Sequence, residues 1–385
     1  MKILKGVFLL VSAAAISNAA DSLADALKNG SVEGELRSYY FNQRTCCGDK
    51  ADILDFAVRL NYVTDLYYGF NAGVTFQGVS SPFADNDAKH VFGASNSLYG
   101  PGAVWSEAYI SYTLGKNTLK AGRQFIDMPL IKSGSGKAVI QSFEGITLTS
   151  NEISGNTFYA GYIEKFQKQT DGKGGAPKFT KLDGSYAYAL GVKNNYFEKL
   201  NLIGAYGGIK DAFWMLYMQA DFNDAISSSF NYQTAVQYSH TDYESSADDS
   251  NYYGVKLGTG FGGFNMYAAL AYVMDGDSRF GVVGGGSSCT LFTSSYEQCA
   301  EYEKSKQYAV DANYTFKDLG LLFGFRYANL DYEDIDDEIA WKSVYASYSP
   351  KGVFKGVSIK FVYENENHEK SKDTNLYIVR AAYGF

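Results

Sequence analysis

Beyond about residue 30 the dominant pattern along the chain is an alternation of apolar and polar side chains. Leu54, Phe56, Val58, Leu60 and Tyr62 alternate with Asp55, Ala57, Arg59 and Asn61. Tyr68, Phe70, Ala72, Val74 and Phe76 alternate with Gly69, Asn71, Gly73, Thr75 and Gln77. The rule returns at Phe230, Tyr232, Thr234, Val236 and Tyr238, at Phe264, Met266, Ala268, Leu270 and Tyr272, and at Val357, Ile359, Phe361 and Tyr363. A period of two is the mark of a strand whose faces meet different surroundings. Eight short spacers fall at 64–67, 114–117, 151–155, 194–199, 223–227, 260–263, 315–320 and 349–355. Nine mostly longer, polar spacers fall at 43–51, 78–103, 126–142, 163–185, 207–212, 240–251, 274–304, 331–339 and 365–374. The two kinds alternate, so eight turns and nine loops predict 18 strands.

A water-soluble sandwich would hide its apolar rows and show its polar ones. A membrane barrel inverts this, with apolar rows toward lipid and polar rows around a lumen. Strands of about ten residues suit a tilted crossing of a bilayer. An even count, with short turns at one rim and long loops at the other, fits the same architecture. Tyr62, Tyr67, Tyr68, Tyr109, Tyr112, Tyr345 and Tyr348 gather at strand ends, where amphipathic rings favour an interface. Closure removes the sheet edges that lipid could not satisfy. The expected fold is an all-β, transmembrane antiparallel barrel of 18 strands over residues 32–385. Strands 5, 6, 9 and 16 carry the weakest pattern, and merging two weak ones would give a 16-strand alternative.

Two ends of the chain add information. Lys2 and Lys5, the apolar stretch Val7 to Ile16, and Ser17-Asn18-Ala19 read as a secretory signal peptide over residues 1–19, with cleavage after Ala19 or Ala20. Residues 20–31 form a short segment before the barrel. The last strand presents Tyr377, Val379, Ala381, Tyr383 and Phe385 on one face. A terminal Phe with a Tyr two places before it resembles the signal read by the barrel-assembly machinery.

Composition narrows the function. The 385 residues include 33 Tyr, 26 Phe and 40 Gly, with 5 Pro, 4 Cys and 3 His, and the net charge is −8. An acidic chain without a basic run points away from nucleic acid. Three His and four Cys leave little material for a zinc or iron–sulfur enzyme. Ser133-Gly134-Ser135-Gly136-Lys137 fails as a phosphate loop, because Ile131 and Ala138 stand at its required Gly and Ser/Thr positions. There is no G-x-S-x-G elbow. No cofactor and no catalysis are implied. Among the cysteines, a local Cys289–Cys299 disulfide in loop seven is the first choice, while Cys46 and Cys47 allow a vicinal bridge or a link to loop seven.

Asp21 to Leu27 leads into Gly34 to Phe41, followed by Leu119-Lys120-Ala121-Gly122-Arg123-Gln124, Met128-Pro129-Leu130, and Ser142-Phe143-Glu144-Gly145. In their order and spacing these stretches resemble the OprD-type outer-membrane porins of the Campylobacter and Sulfurospirillum branch. The resemblance implies an 18-stranded channel for small solutes, often amino acids or carboxylates, as a monomer or homotrimer. It also implies a third loop folded into the lumen, here Met128 to Gln141, carrying Pro129, Lys132 and Lys137. The family's frequent acidic-then-Arg run is missing from that loop.

Counting from the short-turn rim, Arg37, Arg59, Arg326, Lys360 and Arg380 all fall four or five residues in, opposite the apolar face. That is roughly 10–13 Å above the rim. Four of them lie on consecutive strands once the last closes on the first, and would form one basic wall. Glu107, in reach of Arg123, lies opposite, with Lys256 and Asp311 further round. Such a wall guides anions; alternatively, its cations pair with Glu33, Glu35 or Asp55 and stiffen the barrel. Acidic outer loops (Asp331, Glu333, Asp334, Asp336, Asp337 and Glu338; Asp242, Glu244, Asp248 and Asp249) suit lipopolysaccharide bridged by divalent cations. The expected function is a passive diffusion channel in a Gram-negative outer membrane. The competing class is a structural or adhesive surface protein with incidental conductance.

Overall fold

The computed structural model describes residues 20–45, 50–94, 98–182, 186–227, 229–245, 248–284, 290–297, 304–333 and 337–385. The leader at 1–19 and all four cysteines, Cys46, Cys47, Cys289 and Cys299, lie outside the described residues. A six-residue helix, α1 (Leu23–Lys28), comes first, its N-terminus capped by the Ser22 hydroxyl accepting from the Asp25 amide.

The strands are β1 (Ser31–Thr45), β2 (Lys50–Val63), β3 (Phe70–Ser80), β4 (Gly102–Leu114), β5 (Asn117–Gln124), β6 (Ser142–Ser150), β7 (Asn156–Gln167), β8 (Phe179–Lys181), β9 (Ala187–Phe197) and β10 (Leu200–Ile209). They continue as β11 (Phe213–Ala225), β12 (Phe230–Tyr243), β13 (Ser250–Phe261), β14 (Phe264–Asp275), β15 (Ser305–Phe316), β16 (Leu321–Tyr332), β17 (Glu338–Tyr348), β18 (Val357–His368) and β19 (Thr374–Gly384). Short β8 pairs only with the end of β7, at Lys165↔Lys181 through Gln167↔Phe179. The other 18 form a closed antiparallel barrel. Its seam is β1 against β19, with Leu36 opposite Tyr383, while the other edge of β1 places Leu36 opposite Val58 of β2. The weakly patterned strands are all present, as β5, β6, β10 and β17.

Sidedness follows the alternation. On β2, Phe56 and Leu60 are exposed on the outer surface while Asp55 and Asn61 are buried within. Leu257 and Leu270, at 59% and 68% exposure, stand on the outside of β13 and β14. Rows of exposed aliphatic side chains are costly against water and favourable against hydrocarbon. Ring contacts link Tyr162, Tyr186, Tyr188, Tyr206 and Trp214 near the long-loop rim, at centroid separations of 5.0–6.4 Å. Phe70–Tyr112 and Tyr314–Phe316 mark the opposite rim. Two aromatic levels bounding an apolar band are what a bilayer selects.

Spacer length proves a weaker marker than sidedness. The loop between β10 and β11 is only 210–212, shorter than the 349–356 turn at the other rim. The lumen is also less polar than simple inversion suggests. The third loop (L3, residues 125–141) and the described parts of the seventh (L7, residues 276–284 and 290–297) turn inward and bring their own apolar side chains. Met128, Leu130, Ile131, Phe280, Val282 and Leu291 pack with the wall residues Phe143, Ile163, Ala187, Ala189 and Trp341. Inward positions are small where L3 passes closest. A Cβ on Gly161 would lie 3.3 Å from Met128 Cε, and one on Gly191 would lie 3.1 Å from Pro129 Cγ.

Candidate functional site

The basic wall is built by register. Lys360 of β18 sits directly opposite Arg380 of β19, and Arg380 opposite Tyr39 of β1. Arg37 is two positions along β1, and Arg59 of β2 faces Glu35. Arg326 on β16 completes the set across β17, which contributes Tyr345. These strands are adjacent because the barrel closes, so residues more than 340 positions apart share one surface.

Each guanidinium has defined partners. Arg37 donates to Glu35 at 2.6 Å, and Arg59 reaches the same carboxylate at 3.4 Å. Arg37 Nη1 also donates to the carbonyls of Ser135 at 3.0 Å and Lys137 at 2.6 Å. Arg380 Nε donates to the Gly136 carbonyl at 2.6 Å. The tip of L3 is thus held against the wall by the wall's own arginines. Arg326 donates to Asp311 at 2.9 Å, and Tyr345 donates to both Asp311 oxygens at 2.9 Å. Lys360 has no carboxylate within 4.0 Å among the described residues; its ammonium lies 4.5 Å from the centre of the Tyr296 ring.

L3 is pinned at its far end too. Gln77 accepts from the Ile140 amide at 2.9 Å and donates to its carbonyl at 3.0 Å, and Gln167 donates to that carbonyl at 3.2 Å. Within the loop, Lys132 pairs with Asp127 at 3.0 Å, and Lys137 is buried enough to lower its ammonium pKa. Val282 of L7 donates to the Leu130 carbonyl at 2.8 Å, so the two loops brace each other. Met128 and Pro129 pack against the wall; Lys132 and Lys137 carry the loop's charge.

Glu107 and Arg123 do not meet. Glu107 is buried, accepting from the Thr75 hydroxyl at 2.6 Å and from the Phe125 amide at 3.0 Å, which fixes the point where L3 leaves the wall. Arg123 is corrected to the outer face, sharing it with exposed Leu119. It pairs with Glu144 at 2.9 Å, and Glu144 also takes Lys165; the Arg123 guanidinium lies 4.4 Å from the centre of the Phe179 ring. Gly122, with φ of +121°, breaks the ideal strand just before it and blurs the alternation there. Of the suggested wall acids, Glu35 pairs with arginines, whereas Asp55 accepts from Ser81 at 2.5 Å. Lys256 lies 4.3 Å from the centre of the Phe292 ring in L7.

The sequence reading missed Glu297, Tyr296 and Glu364. Glu297 binds Arg380 through both oxygens, at 2.8 and 2.6 Å. Tyr296 stacks on Tyr345 with centroids 4.0 Å apart. Fully buried Glu364 on β18 accepts from the Ser295 hydroxyl at 3.0 Å, the Tyr296 amide at 3.1 Å, the Glu297 amide at 3.3 Å and the Ser343 hydroxyl at 2.6 Å. Spacing gives no signal for a loop that descends into the lumen; the one available clue was an inward acid, Glu364, amid a basic wall.

A bore narrowed by inward loops, with a cationic wall, can filter solutes by size and charge. Residues 105–381 match the model of the outer membrane porin, OprD family. The porin-like protein GalP of Pseudomonas putida is 21% identical over 291 residues, covering 69% of this chain and 68% of that protein. The barrel is similar to Acinetobacter baumannii OccAB1 (TM-score 0.83, 15% identity, 94% of this chain and 97% of that one). It is similar as well to a BenF-like porin from Pseudomonas fluorescens Pf-5 (TM-score 0.80, 17% identity, 94% and 100%). An apolar outer band, a closed 18-strand wall, an inward third loop and a family match over more than half the chain lead to one conclusion: this chain belongs to the OprD family of outer membrane porins and forms a multi-pass β-barrel channel for small solutes in the outer membrane.

Proposed function

We propose that the channel is a passive, anion-preferring pore, non-enzymatic, whose permeants are small carboxylates or amino acids drawn along the wall of Arg37, Arg59, Arg326, Lys360 and Arg380. The observation that carries this is the charge along that wall. Of its five strand cations, Arg37 and Arg59 share Glu35, Arg326 pairs with Asp311 and Arg380 with Glu297, and Lys360 faces a ring rather than an acid. One uncompensated charge ~10 Å from an ion in water contributes ~0.4 kcal/mol, about twofold in anion preference. A narrow low-dielectric slot strengthens it. Liposome swelling tests the reading: organic acids and amino acids should enter faster than neutral sugars of equal size, and no uptake of any solute would point instead to a structural surface protein.

Two partner assignments belong to the same reading. Phe385 serves as the assembly signal: its amide and carbonyl bond to Gly34 at 3.0 and 2.8 Å across the seam, while its ring stays exposed. Outer-membrane lipid and lipopolysaccharide surround the wall, whose subunits stand singly or as a homotrimer.

A further inference from the structure

L7 delivers a carboxylate to the place where the wall would receive one from solution. Glu297 makes a two-point contact with Arg380, the geometry a guanidinium offers a free carboxylate. Its neighbour Tyr296 covers Tyr345 and lies beneath Lys360, at 4.5 Å, and Arg326, at 5.4 Å. Together the two residues screen three of the five cations. The backbone that carries them is bound by Glu364 at the Tyr296 and Glu297 amides and the Ser295 hydroxyl, and just before it by Gln307 at the Thr293 hydroxyl and Gln237 at the Phe292 amide and Thr290 carbonyl. The Arg326 contact to the Ser295 carbonyl, at 3.2 Å, adds one more link.

We propose that Glu297 is a selectivity-determining residue of the channel, a built-in occupant of the Arg380 anion site that a permeating carboxylate must displace. This rests on the reading that carboxylates travel along the basic wall. Arg380 is then the donor that receives the permeant's carboxylate, and Glu297 sets its availability. The exchange is one carboxylate for another on the same guanidinium, so Arg380 is never left buried and unpaired, and the displaced Glu297 carboxylate is taken up by lumen water. Glu35 differs in kind: it lies on β1 itself, between Arg37 and Arg59, and cannot move away without the strand.

That contrast supplies the control. Glu297→Gln and Glu35→Gln remove the same charge from the same wall. Through charge alone, each raises chloride preference by about twofold. If Glu297 competes with the permeant, Glu297→Gln also lowers the potassium glutamate concentration that half-blocks the potassium chloride current, by about tenfold, the worth of a charge-assisted contact. Glu35→Gln leaves that concentration within about twofold. Equal shifts in the two variants overturn the proposal, as does a Glu297→Gln chain that no longer forms a heat-modifiable barrel, since Glu297 is then a strut.

A measurement on the unaltered channel adds a second test. Potassium glutamate, compared with potassium chloride, speeds amide hydrogen exchange at Tyr296 and Glu297; unchanged exchange overturns the proposal. Failure of the underlying reading looks different: the unaltered channel and both variants would all prefer potassium to chloride, and glutamate would neither block nor cross.

Discussion

At the scale of single residues, the wall shows how a lumen keeps cations without leaving them bare. Arg326 is the clearest case, because Asp311 is buried and also accepts from Tyr345. Asp311→Asn leaves the guanidinium beside a neutral amide and weakens both contacts. Breaking such a partly buried pair costs about 1–3 kcal/mol, so the temperature of heat-induced unfolding on gels should fall, while Tyr345→Phe falls less. The residue scale is also where pattern reading went astray. Arg123 alternates with inward Lys120 and Gln124 and so faces out with Leu119, where Glu144 across the pair takes its charge; two polar residues in a row, Arg123 and Gln124, hid that from a reading of polarity. Register, not composition, settled it.

Among the elements, the strands were legible and the loops were not, for a physical reason. A transmembrane strand meets two solvents, so each of its residues reports its side, and the spacers that break the alternation yield the count of 18. A loop's course depends on distant partners. L3 descends because Gln77 and Gln167 hold Ile140, and because Arg37 and Arg380 hold its tip. Its inward path was expected from family resemblance rather than from any spacing. L7 had neither source of information: Glu364 stands 68 positions from Tyr296.

Two variants test the L3 arrangement. Gln77→Leu strips its two bonds from Ile140 and leaves the buried Ile140 amide without its partner, while Gln167 keeps the carbonyl, so single-channel current should become noisier. Gly191→Val places atoms where Pro129 already sits at 3.1 Å from an added Cβ, driving L3 inward. Conductance should fall, and an unchanged value would mean that L3 does not bound the narrowest section.

For the whole molecule, closure links everything. The seam between β1 and β19 satisfies the last edge, brings the C-terminus against Gly34, and joins the first and last basic strands into one surface. Phe385→Ser should therefore slow assembly into membranes while sparing the conductance of the molecules that do assemble. Solvent sidedness is the premise under all of it, since apolar rows outside and ion-paired polar rows inside leave water only one route through. The most direct test is the reversal potential of single channels in a planar bilayer under a potassium chloride gradient. The unaltered protein should favour chloride, and the combined Arg37→Gln, Arg59→Gln and Arg380→Gln variant, which leaves Glu35 and Glu297 without their arginines, should shift toward potassium. A channel that favours potassium from the start, with a reversal potential unmoved by those three changes, would contradict the account.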